Sequence, residues 1–369
     1  MVMKIESAEL LILRLPIRFR FETSFGTQTE RTIPLLILKS QGLEGYAEGV
    51  MEKLPGYGGE TVTQTQFLLA ELLLPQILGR EFANPESLAQ FLSPSRAGRM
   101  TKAMVEMAFY DLWAKSLNLP LWQVLGGSQT ELAVGVSLGI QPSLEATLAL
   151  VEAHLEQGYR RIKLKIKPGW DVEPVSAVRS RFPGAHLSVD ANSAYSLKDR
   201  QVFQALDELE LSYIEQPLFE DDLLDHASLQ AELKTPICLD ESLTSPRAVR
   251  QALQLDAARV VNIKAGRMGG LSAVRESEAI ARSFGVPLWC GGMLEAGVGR
   301  ATNLHLSTLS GFTLPGDVSS ASRYWEHDII QEPLEAEDGL MHPPAGAGIG
   351  VHLDRKRIGE ITLAKSEFS

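Results

Sequence analysis

Cysteine is nearly absent from this chain, with only Cys238 and Cys290 among 369 residues. Two thiols cannot build a disulfide framework, and both lie in apolar, strand-like runs, so each reads as a buried reduced thiol. Basic residues are also in short supply: 35 Lys and Arg stand against 46 Asp and Glu, a formal charge of −11. A phosphate-backbone partner calls for clustered Lys and Arg, so the charge argues against nucleic acid. Long apolar runs are missing. LLILRLPIRF at 10–19 is too short and too basic to cross a bilayer, and Lys4 and Glu6 interrupt the place where a signal peptide would carry its apolar core. No His/Cys cluster has zinc-ligand spacing. These absences lead to the expectation of a folded, cytoplasmic protein with neither a membrane nor a nucleic acid as partner.

The positive signal is a beat. Asp190, Glu215 and Asp240 recur at one even interval, and each closes a short apolar run: LSVD, SYIE and PICLD. RIKLKIK carries Lys165 the same interval before Asp190, and RVVNIK ends at Lys264, almost the same interval after Asp240. A strand, a helix and two loops fit in about 25 residues, so the beat predicts βα units that each deliver a charged side chain to the same strand end. In a parallel barrel that shared end is where active sites are built.

Strands are expected at 132–139, 160–166, 186–190, 212–215, 236–240, 259–263, 286–290 and 312–316, the eight strands of a (β/α)8 barrel. Residues 1–125 do not follow the beat. KIESAELLILRLPI, PLLILKS and LEGYAEGV predict three antiparallel strands, followed by helices near 61–79, 86–93 and 101–117. The expected organisation is an α+β capping domain over 1–125, a barrel over 126–325, and a Gly- and Pro-rich segment, 326–369, that returns to the capping domain.

RIKLKIK alternates strictly, with Arg161, Lys163, Lys165 and Lys167 on one face. Alone it could be a solvated basic edge; the matching Lys264 four units on favours lysines aimed into the barrel, where close neighbours would depress one another's pKa. Any one of the three carboxylates could be an ordinary salt-bridge partner. Three at equal spacing would repel one another, and a hard divalent cation, Mg²⁺ or its analogue Mn²⁺, resolves the conflict. Glu241 reads either as support for Asp240 or as a loop charge. Metal and lysines together point to removal of a proton α to a substrate carboxylate through an enediolate. Lys165 and Lys264, from strands 2 and 6, would address opposite faces of one carbon, as a racemase requires.

These residues resemble the enolase superfamily and, within it, the muconate-lactonising subgroup. The likeness is carried by KLK at 163–165, DAN at 190–192, IEQP at 214–217, DES at 240–242 and NIKAGRMGG at 262–270, and by AFYDLWAKSLNLPLWQVLGG before the barrel. The resemblance implies Asp190, Glu215 and Asp240 as Mg²⁺ ligands, Lys165 and Lys264 as the acid/base pair, and Lys163 as their support on the substrate carboxylate. More narrowly, GGMLEAGVGR at 291–300 and LPGDVSSASRYWEHDI at 314–329 are similar to the o-succinylbenzoate synthase and N-acylamino acid racemase family. Arg267 matches an arginine of the branch in which racemisation occurs. The family further implies substrate contacts at Ser137, Asn192, Gly292 and Met293, and at Tyr57 in a PGYGG lid loop beside ETSFGTQT at 22–29; an exposed loop aromatic is the plain alternative for Tyr57. Such relatives are often homo-oligomers.

The leading expectation is therefore an o-succinylbenzoate synthase of menaquinone biosynthesis, an N-acylamino acid racemase, or both, acting on small carboxylates. Muconate cycloisomerase and dipeptide epimerase are alternatives within the subgroup, although Gly316-Asp317-Val318-Ser319 offers one acid where such epimerases carry an Asp-x-Asp. A Schiff-base aldolase and a non-catalytic barrel are the alternatives outside it. The Gly-rich stretches at 297–299 and 346–350 complete no nucleotide-binding fingerprint and read as turns, and His305 reads as a packed helical residue.

Overall fold

The computed structural model describes residues 2–369. Its centre is a seven-stranded parallel sheet in sequential order, built from Val136–Leu138, Ile162–Lys165, Leu187–Asp190, Ile214–Glu215, Ile237–Leu239, Val260–Ile263 and Leu288–Cys290. These are called barrel strands 1 to 7 below. They are short and buried on both faces, as parallel strands wrapped by helices must be. Helices follow in alternation, and the strand-to-helix turns supply caps: Ser143, Asp222 and Ser245 each accept a backbone N–H in the first turn.

Two strand expectations are corrected. The predicted first strand, 132–139, is divided: Leu132–Ala133 pairs antiparallel with Leu340–Met341, and only Val136–Leu138 joins the barrel. The predicted eighth strand, 312–316, forms no ladder. Pro315 has no N–H to donate, and the segment closes the ring through isolated bridges, Leu288 with Phe312 on one side and Val134 with Gly316 on the other. The ring thus has eight members, of which the last is held by single bridges.

Over the barrel sits a four-stranded antiparallel sheet in the order Thr362–Phe368, Ser7–Thr23, Gly26–Ser40, Leu43–Glu48. Its two central strands run well past the predicted 4–17 and 34–40, because a twisted hairpin with a register shift between Pro16 and Phe21 extends them to a turn at Thr23–Gly26. The predicted helices are present as Val62–Ile77, Pro85–Leu92 and Arg99–Ser116. The first of these widens into a π-helical stretch, Leu68–Leu73, just ahead of Pro75, which cannot continue the regular hydrogen bonding. The C-terminal strand lies along Ala8–Leu13 and ties the end of the chain to the start of the capping sheet.

Candidate active site

Parallel register sets the site. Lys165 pairs with Asp190 between strands 2 and 3, and Asp190 pairs with Glu215 between strands 3 and 4, so the three lie side by side at one strand end. Asp240 and Lys264 follow strands 5 and 6 directly. One-turn helix Ala265–Met268 begins on Lys264 and places Arg267 three residues on, on the same face. Both reach Asp240: Lys264 Nζ lies 2.7 Å from Oδ2, and the Arg267 guanidinium pairs with Oδ1.

The cavity above these strand ends spans about 690 Å³, the open solvent at its mouth included. Lys163, Lys165, Lys264, Asp190, Ser137, Gly292, Met293 and Tyr57 line it, with Phe21, Phe25 and Arg31 of the capping sheet forming the opposite wall. Asn192, Glu215, Asp240 and Arg267 do not line it but touch residues that do. Asn192 Oδ1 accepts from Lys165 Nζ at 2.7 Å, and Glu241 lies a step further out, bonded to Asn192 Nδ2 at 2.8 Å. Gly291 leaves room for Lys264, since a Cβ there would sit 2.5 Å from the lysine Cε. Tyr57 is not an exposed loop aromatic. Its ring stacks on Phe25 and its hydroxyl donates to Asp240 Oδ2 at 2.8 Å while accepting from Lys264 at 2.6 Å.

All three carboxylates are buried, and their electrostatics differ. Burial pushes Glu215 up, to about 8, with Asp190 and Asp240 adding to the effect against Lys163. Burial also opposes ionisation of Asp240, but Arg267 and Lys264 outweigh it and hold that carboxyl well below the usual range. Asp190 is lowered in the same way by Lys165 and Lys163. Lys163 departs from the expected depression. Burial disfavours its ammonium, yet Asp317, Glu215 and Asp190 together raise its pKa well above the ordinary lysine value.

Among the described residues, no three His, Cys, Asp or Glu side chains converge to ligating distance as they stand. Each carboxylate is paired instead with a lysine or arginine. The donor set itself suits a hard cation: three buried, oxygen-only ligands on neighbouring strands, with burial first and the charges of Asp190 and Asp240 second in raising Glu215.

Sequence reasoning named Asp317 and Arg161 but gave neither a role in the site. Asp317 follows the eighth ring segment and sits in the cavity wall, accepting from Ser137 Oγ at 2.7 Å, from Lys163 Nζ at 2.9 Å and from Arg161. The alternation of RIKLKIK had placed Arg161 on the correct face. Asn262, in NIK, was also passed over; its Nδ2 donates to Glu215 Oε1 at 2.9 Å.

Comparison with known proteins agrees with this geometry. Residues 146–357 match the family described as Enolase C-terminal domain-like, and residues 7–126 match the mandelate racemase / muconate lactonizing enzyme N-terminal domain. The chain is 63% identical to an N-succinylamino acid racemase of Thermus thermophilus over 98% of both chains. It is 47% identical to an o-succinylbenzoate synthase of Geobacillus kaustophilus, covering 98% of this chain and 97% of that one. A solved structure of an enolase-superfamily member from Listeria innocua superposes with a TM-score of 0.95 at 39% identity, covering 99% of each chain. A capping sheet, a parallel barrel and charged groups at the strand ends are joined here by sequence matches along nearly the whole length, and the chain belongs to the mandelate racemase / muconate lactonizing enzyme family of the enolase superfamily.

Proposed function

We propose that this chain is a divalent-metal-dependent enzyme that removes the proton α to a substrate carboxylate, with Lys165 and Lys264 as the acid/base pair. Its reactions are racemisation of N-succinylamino acids, dehydration to o-succinylbenzoate, or both. One observation carries the reading: the two lysines stand on members 2 and 6 of an eight-membered ring, opposite one another, and both line the same cavity. A planar carbon held between them has one amine on each face. The names of the most similar relatives support both reactions.

Asp190, Glu215 and Asp240 would hold Mg²⁺, or another hard divalent ion such as Mn²⁺, which when bound offsets the charge of the enediolate. Lys163 would bind the substrate carboxylate, and Ser137, Gly292, Met293 and Tyr57 would shape the pocket. Asn192 would orient Lys165, Glu241 would support Asn192, and Arg267 would hold Asp240. For dehydration Lys165 takes the proton while Lys264 stays an ammonium; for racemisation the two exchange roles with the enantiomer. In the same reading residues 1–125 cap the barrel of 126–325, and 326–369 return to the cap. A homo-oligomeric state rests on resemblance alone, and a cytoplasmic location on the sequence reading above. A Schiff-base aldolase is disfavoured, since imine chemistry needs no metal ligands and would leave the three buried carboxylates at the strand ends without a role.

The test is ¹H NMR of N-succinyl-L-phenylalanine in D₂O with enzyme and Mg²⁺, with and without EDTA. Metal-dependent loss of the α-proton signal together with racemisation is the expected result. If there is no exchange, and the dehydration substrate is also left unchanged, the reading fails.

A further inference from the structure

Beneath the cavity, at the floor of the barrel, lies an arginine that the proposed chemistry does not use. Arg161 is 2% exposed. Its guanidinium lies 4.9 Å from the centroid of the Trp289 ring, over which Lys163 Nζ also sits, at 4.6 Å. Gly135 makes room for it: a Cβ there would lie 2.6 Å from Arg161 Nε and 2.7 Å from its carbonyl oxygen. Two of its nitrogens, Nε and Nη1, have no partner, so the side chain makes its one strong contact with the Oδ1 of Asp317. A buried cation so poorly served elsewhere is held there by that carboxylate.

Both oxygens of Asp317 are in turn engaged. Arg161 takes Oδ1, while Ser137 Oγ and Lys163 Nζ share Oδ2. An acid in the wall of a substrate cavity would otherwise attract a cationic group on the substrate and draw Lys163 away from an anionic one. Lys163 is ion-paired to Asp317 at 2.9 Å, but with the carboxylate's charge shared by Arg161 that hold is weaker, and so is the pull on a substrate cation.

We propose that Arg161 is a positioning residue that clamps Asp317, keeps Lys163 available for the substrate carboxylate, and makes the pocket select substrates whose α-nitrogen is an uncharged amide over those with a free α-ammonium. The selectivity part rests on the function proposed above; the clamp does not.

The experiment compares wild type, Arg161→Met, Asp317→Asn and the double variant. Arg161→Met is expected to raise KM for N-succinyl-L-phenylalanine by about ten-fold with a much smaller change in kcat, and to lower the inhibition constant of L-phenylalanine relative to that KM. Asp317→Asn in the Arg161→Met background removes the stranded charge and is expected to restore KM to within about three-fold of wild type. A packing role for Arg161 predicts no such rescue. Thermal melts of the same four proteins give the coupling without turnover, and Asp317→Asn is isosteric should Arg161→Met fold poorly. Additive effects in both KM and melting overturn the proposal. A wild type that does not exchange the α-proton counts against the function, and the melting cycle then decides the clamp alone.

Discussion

Lys165 and Asp190 are register partners across the ladder between barrel strands 2 and 3, and the lysine Nζ lies 2.6 Å from the carboxylate Oδ2. Lys264 Nζ likewise lies 2.7 Å from Asp240 Oδ2, although these two are not register partners. Each proposed base is thus held by one of the proposed metal ligands. The charge on the carboxylate set and the freedom of each amine to take a proton are linked, although the two lysines come from opposite sides of the ring.

If the lysines serve opposite faces, removing one separates exchange from inversion. Lys264→Ala should still exchange the α-proton of one N-succinyl-phenylalanine enantiomer with D₂O, while racemisation falls by about 10²–10⁴-fold, the usual worth of a positioned acid or base. Lys165→Ala should show the mirror pattern. Chiral chromatography alongside ¹H NMR reads both quantities. Racemisation at wild-type rate in either variant would sink the two-base assignment.

The carboxylate set predicts that metal stabilises the fold. Mg²⁺ at about 100 times its Kd should add about 2.7 kcal/mol to unfolding, and EDTA should remove that increment. Asp190→Asn should lose most of the metal-dependent rise in Tm, and should also melt lower without metal because it takes from Lys165 its buried carboxylate partner and from Lys163 one of three. Equal melting of wild type with Mg²⁺ and with EDTA would count against a metal site on these residues.

The barrel and its charged strand ends were legible because parallel βα units repeat along the chain: Asp190, Glu215 and Asp240 fall at one end of three neighbouring strands for the same reason that they recur at one interval in the sequence. What spacing does not carry is lateral convergence. Asp317 follows a segment with no ladder of its own, and its tie to Arg161 reaches across most of the barrel sequence, so Gly316-Asp317-Val318-Ser319 shows an acid there without showing its partner. The C-terminal strand was hidden for a different reason. Thr362–Phe368 is mostly exposed and mixed in polarity, the character of an edge strand, and lacks the apolar alternation that reveals a half-buried one.

Gly135 gives a packing prediction that is independent of activity. Gly135→Ala brings a Cβ against the Arg161 backbone carbonyl, which cannot swing aside as a side-chain tip can. Overpacking of this kind costs about 1–3 kcal/mol, read as a lower midpoint in urea at an unchanged m-value. The same substitution with Arg161→Met should be as destabilising as in wild type if the carbonyl dominates, and milder if the guanidinium does.

Glu48 makes stability depend on pH away from the catalytic groups. This buried residue at the end of its capping strand accepts N–H bonds from Ala296 at 2.7 Å and Gly299 at 2.9 Å, bracketing the start of helix Gly297–Leu306 and so joining cap to barrel. Burial pushes its carboxyl up, to about 8, reinforced by Glu295 and Asp328 against those two N–H bonds. Between its ordinary value of 4.5 and about 8 the folded protein therefore holds a proton that the unfolded chain has released. Stability from this group is greatest at the acid end of that window and falls as pH rises through it, by at most about 1.4 kcal/mol per pH unit. Glu106, buried and pushed up to about 7, acts with the same sign. Urea unfolding of wild type and Glu48→Gln from pH 5 to 8.5 isolates the residue: the amide loses one acceptor and starts less stable, but the gap should narrow as pH rises, because only the carboxyl has a proton to lose. A gap constant across the range would show that Glu48 is ionised in the fold and that its two backbone bonds, with the helix start behind them, outweigh its burial.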